Sequence, residues 1–156
     1  MVRWNSYVDY LGVEKFDKVF LTDAFDVLIP NDPFSFLDWE NYDLFVGNEE
    51  GFVDWDYMQA VWKLAYNVDV PTKIRNSTLM NCGIIGGTGQ RVGELLSNMT
   101  TNISKYKKPS CDMVAFNEAM HFQMTRQNRI FRGGTPLNSV FKNLETSRTD
   151  VAFIHK

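Results

Sequence analysis

The chain lacks most of the features that assign a protein to a class at first sight. Only two cysteines, Cys82 and Cys111, occur among 156 residues. They can neither staple a disulfide-dense mini-protein nor supply the paired spacing of a zinc site, and their spacing leaves mutual pairing open. No apolar run approaches the roughly 20 residues that a bilayer span needs, so no membrane contact is expected. Arg3 and Asn5 interrupt the N-terminus where a signal peptide would keep its apolar core. An excess of one charge is lacking too. A formal net charge of −3 offers no global field to a polyanion, which excludes broad nucleic-acid binding and leaves any phosphate to local groups. Internal repeats, low-complexity tracts and linkers are absent, so residues 1–156 are expected to form a single domain.

What is present is core material. Hydrophobic residues make up 44% of the chain, with twelve Phe and four Trp, and a domain of this length buries roughly 70% of the surface its unfolded chain exposes. Trp4, Tyr7, Val8, Leu11 and Phe16 recur at near-helical spacing within 3–16, with Gly12 as a stop. Residues 18–22 (Lys-Val-Phe-Leu-Thr) read as a strand buried on both faces. The stretch 26–33, with Pro30, Asn31, Asp32 and Pro33, reads as a loop. Further strands are predicted at 42–47, 81–86 and 151–156, and helices at 54–66, 91–99 and 113–124. Gly86-Gly87-Thr88-Gly89 reads as a tight strand-to-helix turn; it has neither the Lys-Ser/Thr pair of a P-loop nor the spacing of a dinucleotide fingerprint. This alternation predicts an α/β fold, a mostly parallel central sheet with helices on both faces in the Rossmann-like manner.

In such sheets ligands bind beyond the carboxyl ends of the strands. The residues there are Asp23, Asp26, Glu49, Glu50, the glycines after residue 85, His155 and Lys156. Asp23 and Asp26 can face one ligand only if the chain turns at Asp23, and two adjacent carboxylates stay ionised most cheaply around Mg²⁺ or Mn²⁺. A strand-end Asp followed by an Asx turn explains the same pair without a ligand. Asn81 and Gly83 weaken the strand that holds them, which suits either a close ligand or a bulge. Asp112 opens a helix, where capping explains it and a catalytic role is compatible with it. Asn117 reads as a solvated helix residue and His121 as a surface one. His155 at a strand exit suits a metal ligand, and Lys156 a diphosphate partner, unless both belong to a frayed end.

Taken in order, several runs resemble a known family. Phe20-Leu21-Thr22-Asp23-Ala24-Phe25-Asp26-Val27, followed by Asn31-Asp32-Pro33-Phe34, is similar to the metal-binding D-x-x-D segment of GT-A-fold nucleotide-sugar glycosyltransferases. The variant is that of the glycosyltransferase domain in the lysyl hydroxylase/collagen glucosyltransferase proteins. Phe45 to Glu50, Asn81 to Gly86, Asp112 to Asn117 and His155-Lys156 resemble further segments of that domain in the same order. The resemblance implies a metal-dependent glycosyltransferase that moves a sugar from a nucleotide-diphosphate donor, a UDP-sugar first, to a hydroxyl of a glycan, protein or small molecule. It implies Asp23, Asp26 and His155 as ligands of Mn²⁺, with Mg²⁺ as the substitute. Asn81 and Gly83 would border the donor sugar, with Glu49, Asn117 and Lys156 as further substrate-binding residues and Asp112 as the catalytic carboxylate facing the acceptor. It also implies that the chain is the C-terminal part of a GT-A catalytic domain, without the nucleoside-binding strands that precede this region in relatives. Two other readings compete. A haloacid-dehalogenase-type phosphotransferase would want an Asp where Phe25 stands. A nucleotide-sugar or carbohydrate-binding module without turnover would keep the fold.

Three acceptor sequences for N-glycosylation, at Asn76, Asn98 and Asn102, join the resemblance in pointing to the lumen of the secretory pathway, Golgi or endoplasmic reticulum. Because strands of one parallel sheet present their carboxyl ends at one edge, Asp23, Asp26 and His155 are expected to converge within one cation's reach.

Overall fold

The computed structural model describes residues 2–105, 112–141 and 145–156. Helix α1 (Val2–Val13) places Trp4, Tyr7, Val8 and Leu11 on one stripe and packs it against α4 (Gly89–Ser104), whose own stripe is Val92, Leu95, Leu96, Met99 and Ile103; Phe16, expected on α1, lies beyond its end. Thr88 caps α4 with its side chain, which accepts from Arg91 N–H at 3.3 Å. Helix α3 (Asp56–Tyr66) turns Met58 and Trp62 inward and ends at Asn67 in the left-handed conformation, φ 59°. Helix α5 (Asp112–Glu118) continues as a π-helical turn over Ala119–Gln123, so the helix expected at 113–124 changes its winding part-way.

These helices cover one face of a four-stranded sheet of order β1-β4-β3-β5: β1 (Lys18–Thr22), β3 (Leu44–Phe52), β4 (Thr78–Thr88) and β5 (Ile130–Arg132). Period-two alternation sends Leu44, Val46 and Ile85 to the helical side, and Phe45 and Ile84 to the other. The fold is mixed α/β, but the sheet is not mostly parallel: β4 runs antiparallel to both β1 and β3, and only β3 and β5 pair in parallel. The pattern of strand and helix does not record direction. The link between β3 and β4 contains α3 and a 3₁₀ turn at Thr72–Ile74, and it returns the chain in the opposite sense.

Helices do not cover both faces either. Opposite the helical layer lies an aromatic cluster of Phe20, Trp39, Tyr42, Phe45, Phe131 and Phe153, with, among the described residues, only the four-residue helix α2 (Pro33–Phe36) nearby. Two further corrections concern short segments. Val27–Leu28, expected in a loop, forms strand β2, and the last strand is only Ile154–His155 (β6); the two pair with each other and not with the main sheet. Gly86 to Thr88 are strand, not turn. A Cβ on Gly86 would collide with the ring of Phe20, and one on Gly87 would lie 2.5 Å from the carbonyl of Asp43, so these glycines answer to close packing between strands.

At the end of β4 farthest from its start, Asp43 is almost buried and accepts from Arg91 Nε at 3.1 Å and Arg129 Nε at 3.0 Å. Arg91 also pairs with Glu94 and donates to the carbonyl of Thr125 at 2.7 Å. Removing Asp43 deprives the buried Arg91 of one of its two carboxylates and Arg129 Nε of its partner. Asp43→Ala is expected to lower unfolding free energy by about 3 kcal/mol, read from urea denaturation; a loss below about 1 kcal/mol would place the network among solvent-screened surface pairs.

Candidate metal centre

Because β4 runs against its neighbours, its first half lies beside the carboxyl ends of β1 and β3. Thr22 pairs with Ile84 and Gly47 with Asn81. Asp23 follows the last residue of β1 and its N–H donates to the carbonyl of Gly83 at 3.0 Å. The chain then turns over residues 24–26, which brings the second carboxylate back toward the first. Directly after Asp26, Val27 pairs with His155, and Lys156 N–H donates to the carbonyl of Asp26 at 2.7 Å. One side-chain ligand atom each from Asp23, Asp26 and His155 thus lies within 4.8 Å of the other two, with Asp26 Oδ2 4.0 Å from His155 Nε2. The expected convergence is present, but its cause differs: His155 arrives through the β2–β6 pair, not as a strand of the parent sheet.

His155 is 1% exposed. Its backbone N–H donates to Ser139 Oγ at 3.1 Å, and its ring packs against Phe141 with centroids 4.3 Å apart. Gly83 forms the floor. A Cβ there would sit 2.5 Å from His155 Cε1, 2.8 Å from His155 Nε2 and 2.7 Å from Asp23 Oδ2, so the absence of a side chain is what leaves room between imidazole and carboxylate. The backbone is irregular here. The ladder with β3 jumps from Val46↔Ile85 to Gly47↔Asn81, leaving Cys82 to Ile84 unpaired on that side, which is the bulge that Asn81 and Gly83 allowed. Asn81 stabilises it, its Oδ1 accepting from Gly83 N–H at 2.6 Å while its Nδ2 donates to Glu49 Oε1 at 2.7 Å.

Arg3 was missed by the sequence reading. From α1 its Nη1 donates to Asp23 Oδ1 at 2.7 Å and its Nη2 lies 3.5 Å from Asp112 Oδ2, while the guanidinium stacks 4.2 Å above the ring of Trp4. It neutralises one oxygen of Asp23 and ties that residue to Asp112. No local pattern announced this, because a single Arg on the polar side of a helix looks like any solvated residue. Asp112 begins α5 and accepts from Met113 N–H at 2.9 Å. Beside it, burial and the Asp112 carboxylate push the Cys82 thiol far above its ordinary range, so Cys82 stays protonated, with Sγ 3.8 Å from Met113 Sδ. Cys111 lies outside the described residues.

The remaining expected residues divide. Glu49 lines a crevice of about 380 Å³ with Glu50, Trp55, Tyr57, Met113 and Phe141. Phe141 joins it to His155, and Trp55 and Tyr57 stand half-exposed on its rim. The one readable sign of this rim was the Trp55-Asp56-Tyr57 run soon after Glu49-Glu50. Asn117 does not belong here. It is fully buried, accepting from Met80 N–H and donating to the carbonyls of Met80 and Met113, all at 2.9 Å, so it anchors α5 to β4 and is neither solvated nor turned to a crevice. His121 is partly buried against the Thr78 carbonyl at 3.2 Å, and desolvation lowers its pKa. A larger cleft of about 500 Å³, between α1 and α4, is lined by Val8, Leu11, Phe16 and Gly89 among others and shares no residue with the cluster.

No family model matches the chain, and no curated protein matches it significantly. Among the described residues no helix is long and apolar enough to cross a membrane.

Gly83→Ala should force His155 or Asp23 aside and cost about 1–3 kcal/mol in denaturant unfolding. Unchanged stability would mean that the space above Gly83 is not confined.

Proposed function

We propose that the chain carries the metal and donor side of a metal-dependent glycosyltransferase, which transfers a sugar from a nucleotide-diphosphate donor, a UDP-sugar first, to a hydroxyl group. The observation that carries this reading is the meeting of Asp23, Asp26 and His155 over a glycine that leaves space between them. Two carboxylates and an imidazole suit Mn²⁺ better than Mg²⁺, which accepts nitrogen less readily. These three residues would hold the cation, and when bound it would supply Lewis-acid stabilisation of the departing diphosphate. A sheet in which β4 alone runs against β1, β3 and β5 is compatible with the C-terminal part of a GT-A domain. The lumen of the secretory pathway is the location that accords with this chemistry.

The chain's own groups supply the rest. Lys156, whose backbone N–H is tied to the Asp26 carbonyl, is the residue that would offer an ammonium to the diphosphate oxygens. Phe25, 98% exposed between the two aspartates, offers a ring face to a nucleobase, a use that repays full exposure of an apolar side chain. Glu49, held in place by Asn81, presents a polar wall to the donor sugar, and Trp55 and Tyr57 an apolar rim to an acceptor. Asp112 takes the acceptor proton if the reaction inverts the anomeric centre, and positions the acceptor if it retains. One contact favours the alternative, a nucleotide-sugar or carbohydrate-binding module without turnover: Arg3 beside Asp112 competes for the oxygen that a base would use.

Calorimetry with UDP separates these from a chance cluster. Binding should require Mn²⁺, and Asp26→Ala should weaken it at least about tenfold, or about 1.4 kcal/mol, with little change in melting because Asp26 is 47% exposed. Metal-independent UDP binding, or equal affinity in the variant, would contradict the site. Asp112→Asn should keep UDP binding and slow transfer to a hydroxyl acceptor by about 10²–10⁴-fold; unimpaired transfer would remove Asp112 from the role of base.

A further inference from the structure

The three N-glycosylation sequences occupy very different surroundings. Asn102 is fully buried in α4. Its Nδ2 donates to Gln123 Oε1 at 3.1 Å and to the Ala115 carbonyl at 3.4 Å, and its Oδ1 accepts from Gln123 Nε2 at 2.9 Å and Lys105 Nζ at 3.0 Å. A sugar on that nitrogen would replace one of the two donated hydrogens and would need volume that the packed interior does not have. Asn98 lies on the same helix, half-buried, with Nδ2 3.7 Å from Met124 Sδ. Asn76 is different. It is exposed in the turn between the 3₁₀ segment and β4, where Ser77 N–H donates to the Ile74 carbonyl at 2.9 Å and Val53 N–H to the Ser77 carbonyl at 3.0 Å. The turn is thus held from both sides while the asparagine side chain faces outward.

A second feature points to a sugar at this place. Asn76 borders a shallow cleft of about 320 Å³ with Gly51, Phe52 and Trp55. Phe52 is 59% exposed, and an aromatic face of this kind packs against the C–H face of a pyranose ring.

We propose that Asn76 is the N-glycan attachment site of the folded protein, and that Asn98 and Asn102 stay unmodified in it. The first sugar bonds through its anomeric carbon to Asn76 Nδ2. The donor is a lipid-diphosphate-linked oligosaccharide; its bond from anomeric carbon to phosphate oxygen breaks, the lipid diphosphate leaves with that electron pair, and one amide proton passes to base. A chain modified at Asn102 cannot complete the α4–α5 contact and does not reach the folded state. This inference rests on the lumenal location proposed above.

The test is export of the full chain from eukaryotic cells behind a cleavable leader, with intact mass and peptide mapping of the protein recovered from the medium. One glycosidase-sensitive glycan is expected, lost in Asn76→Gln and in Thr78→Ala, and retained in Thr100→Ala and Ser104→Ala. Exported protein bare at Asn76, or carrying a glycan at Asn98 or Asn102, would overturn the assignment. A glycan at Asn76 on exported protein, together with an unmodified Asn76 on the chain from its native source, supports the site and overturns the location instead.

Discussion

The antiparallel pairing of Val27 with His155 is the constraint on which the candidate centre depends. Two hydrogen-bonded residues on each side make up the whole of that small sheet, yet they bring the last turn of the chain against the residue that follows Asp26. The pair is weak by itself, since an isolated two-stranded ribbon is at best marginal in water. It is held by what lies behind it: Phe153 and Ile154 are buried, Phe153 packs on Phe20 with ring centroids 4.9 Å apart, and Asn138 forms a bridge to Phe153. The aromatic layer opposite the helices therefore has a positional task beyond burial. It delivers His155 to the aspartates.

Backbone direction makes the second contribution. Had β4 run parallel to β1, the start of β4 would lie at the opposite edge of the sheet from Asp23. Reversed, it places Gly83 under Asp23 and Asn81 beside Glu49, and the bulge at Cys82 to Ile84 opens the ladder with β3 beside them. Charge balance then completes the centre. Two carboxylates meet an almost fully buried imidazole, and Arg3 compensates Asp23 from outside, on the oxygen turned away from Gly83. Arg3 and Asp23 are 43% and 30% exposed, so this pair contributes no more than about 1 kcal/mol to stability. Its importance lies in orientation: it fixes one oxygen of Asp23 and leaves the other toward His155.

Much of this was legible in the residues. The β1 run and the stripes of α1, α3 and α4 were read from local patterns, because apolar spacing is a property of short windows, and Asp23, Asp26 and His155 from their strand-end positions together with the family resemblance. The burial of β1 on both faces was not borne out: it is an edge strand whose residues are at most partly buried. Strand direction was not, since a link with a helix can return either way and only tertiary packing selects the sense. Gly86 and Gly87 were read as a turn because glycine marks both turns and close approach, and the ring of Phe20 that demands the latter is distant in sequence. Asn117 was misread for a related reason. An Asn on a helix is ordinarily solvated, and the Met80 N–H and carbonyl that bind it lie beyond Thr22↔Ile84, where the pairing of β1 with β4 stops, a tertiary feature that no local window contains. Arg3 and Phe141 were invisible on the same ground.

The central claim is that Asp23, Asp26 and His155 form one cation site above Gly83. Titration of ¹⁵N-labelled protein with substoichiometric Mn²⁺, followed by amide NMR, tests it most directly, because paramagnetic broadening falls steeply with distance from the ion. The account predicts that the amides of Asp23 to Val27, Cys82 to Ile84, and His155 and Lys156 broaden first and together. Broadening centred on Glu49 and Glu50, or spread over the exposed carboxylates without preference for the β2–β6 pair, would contradict it.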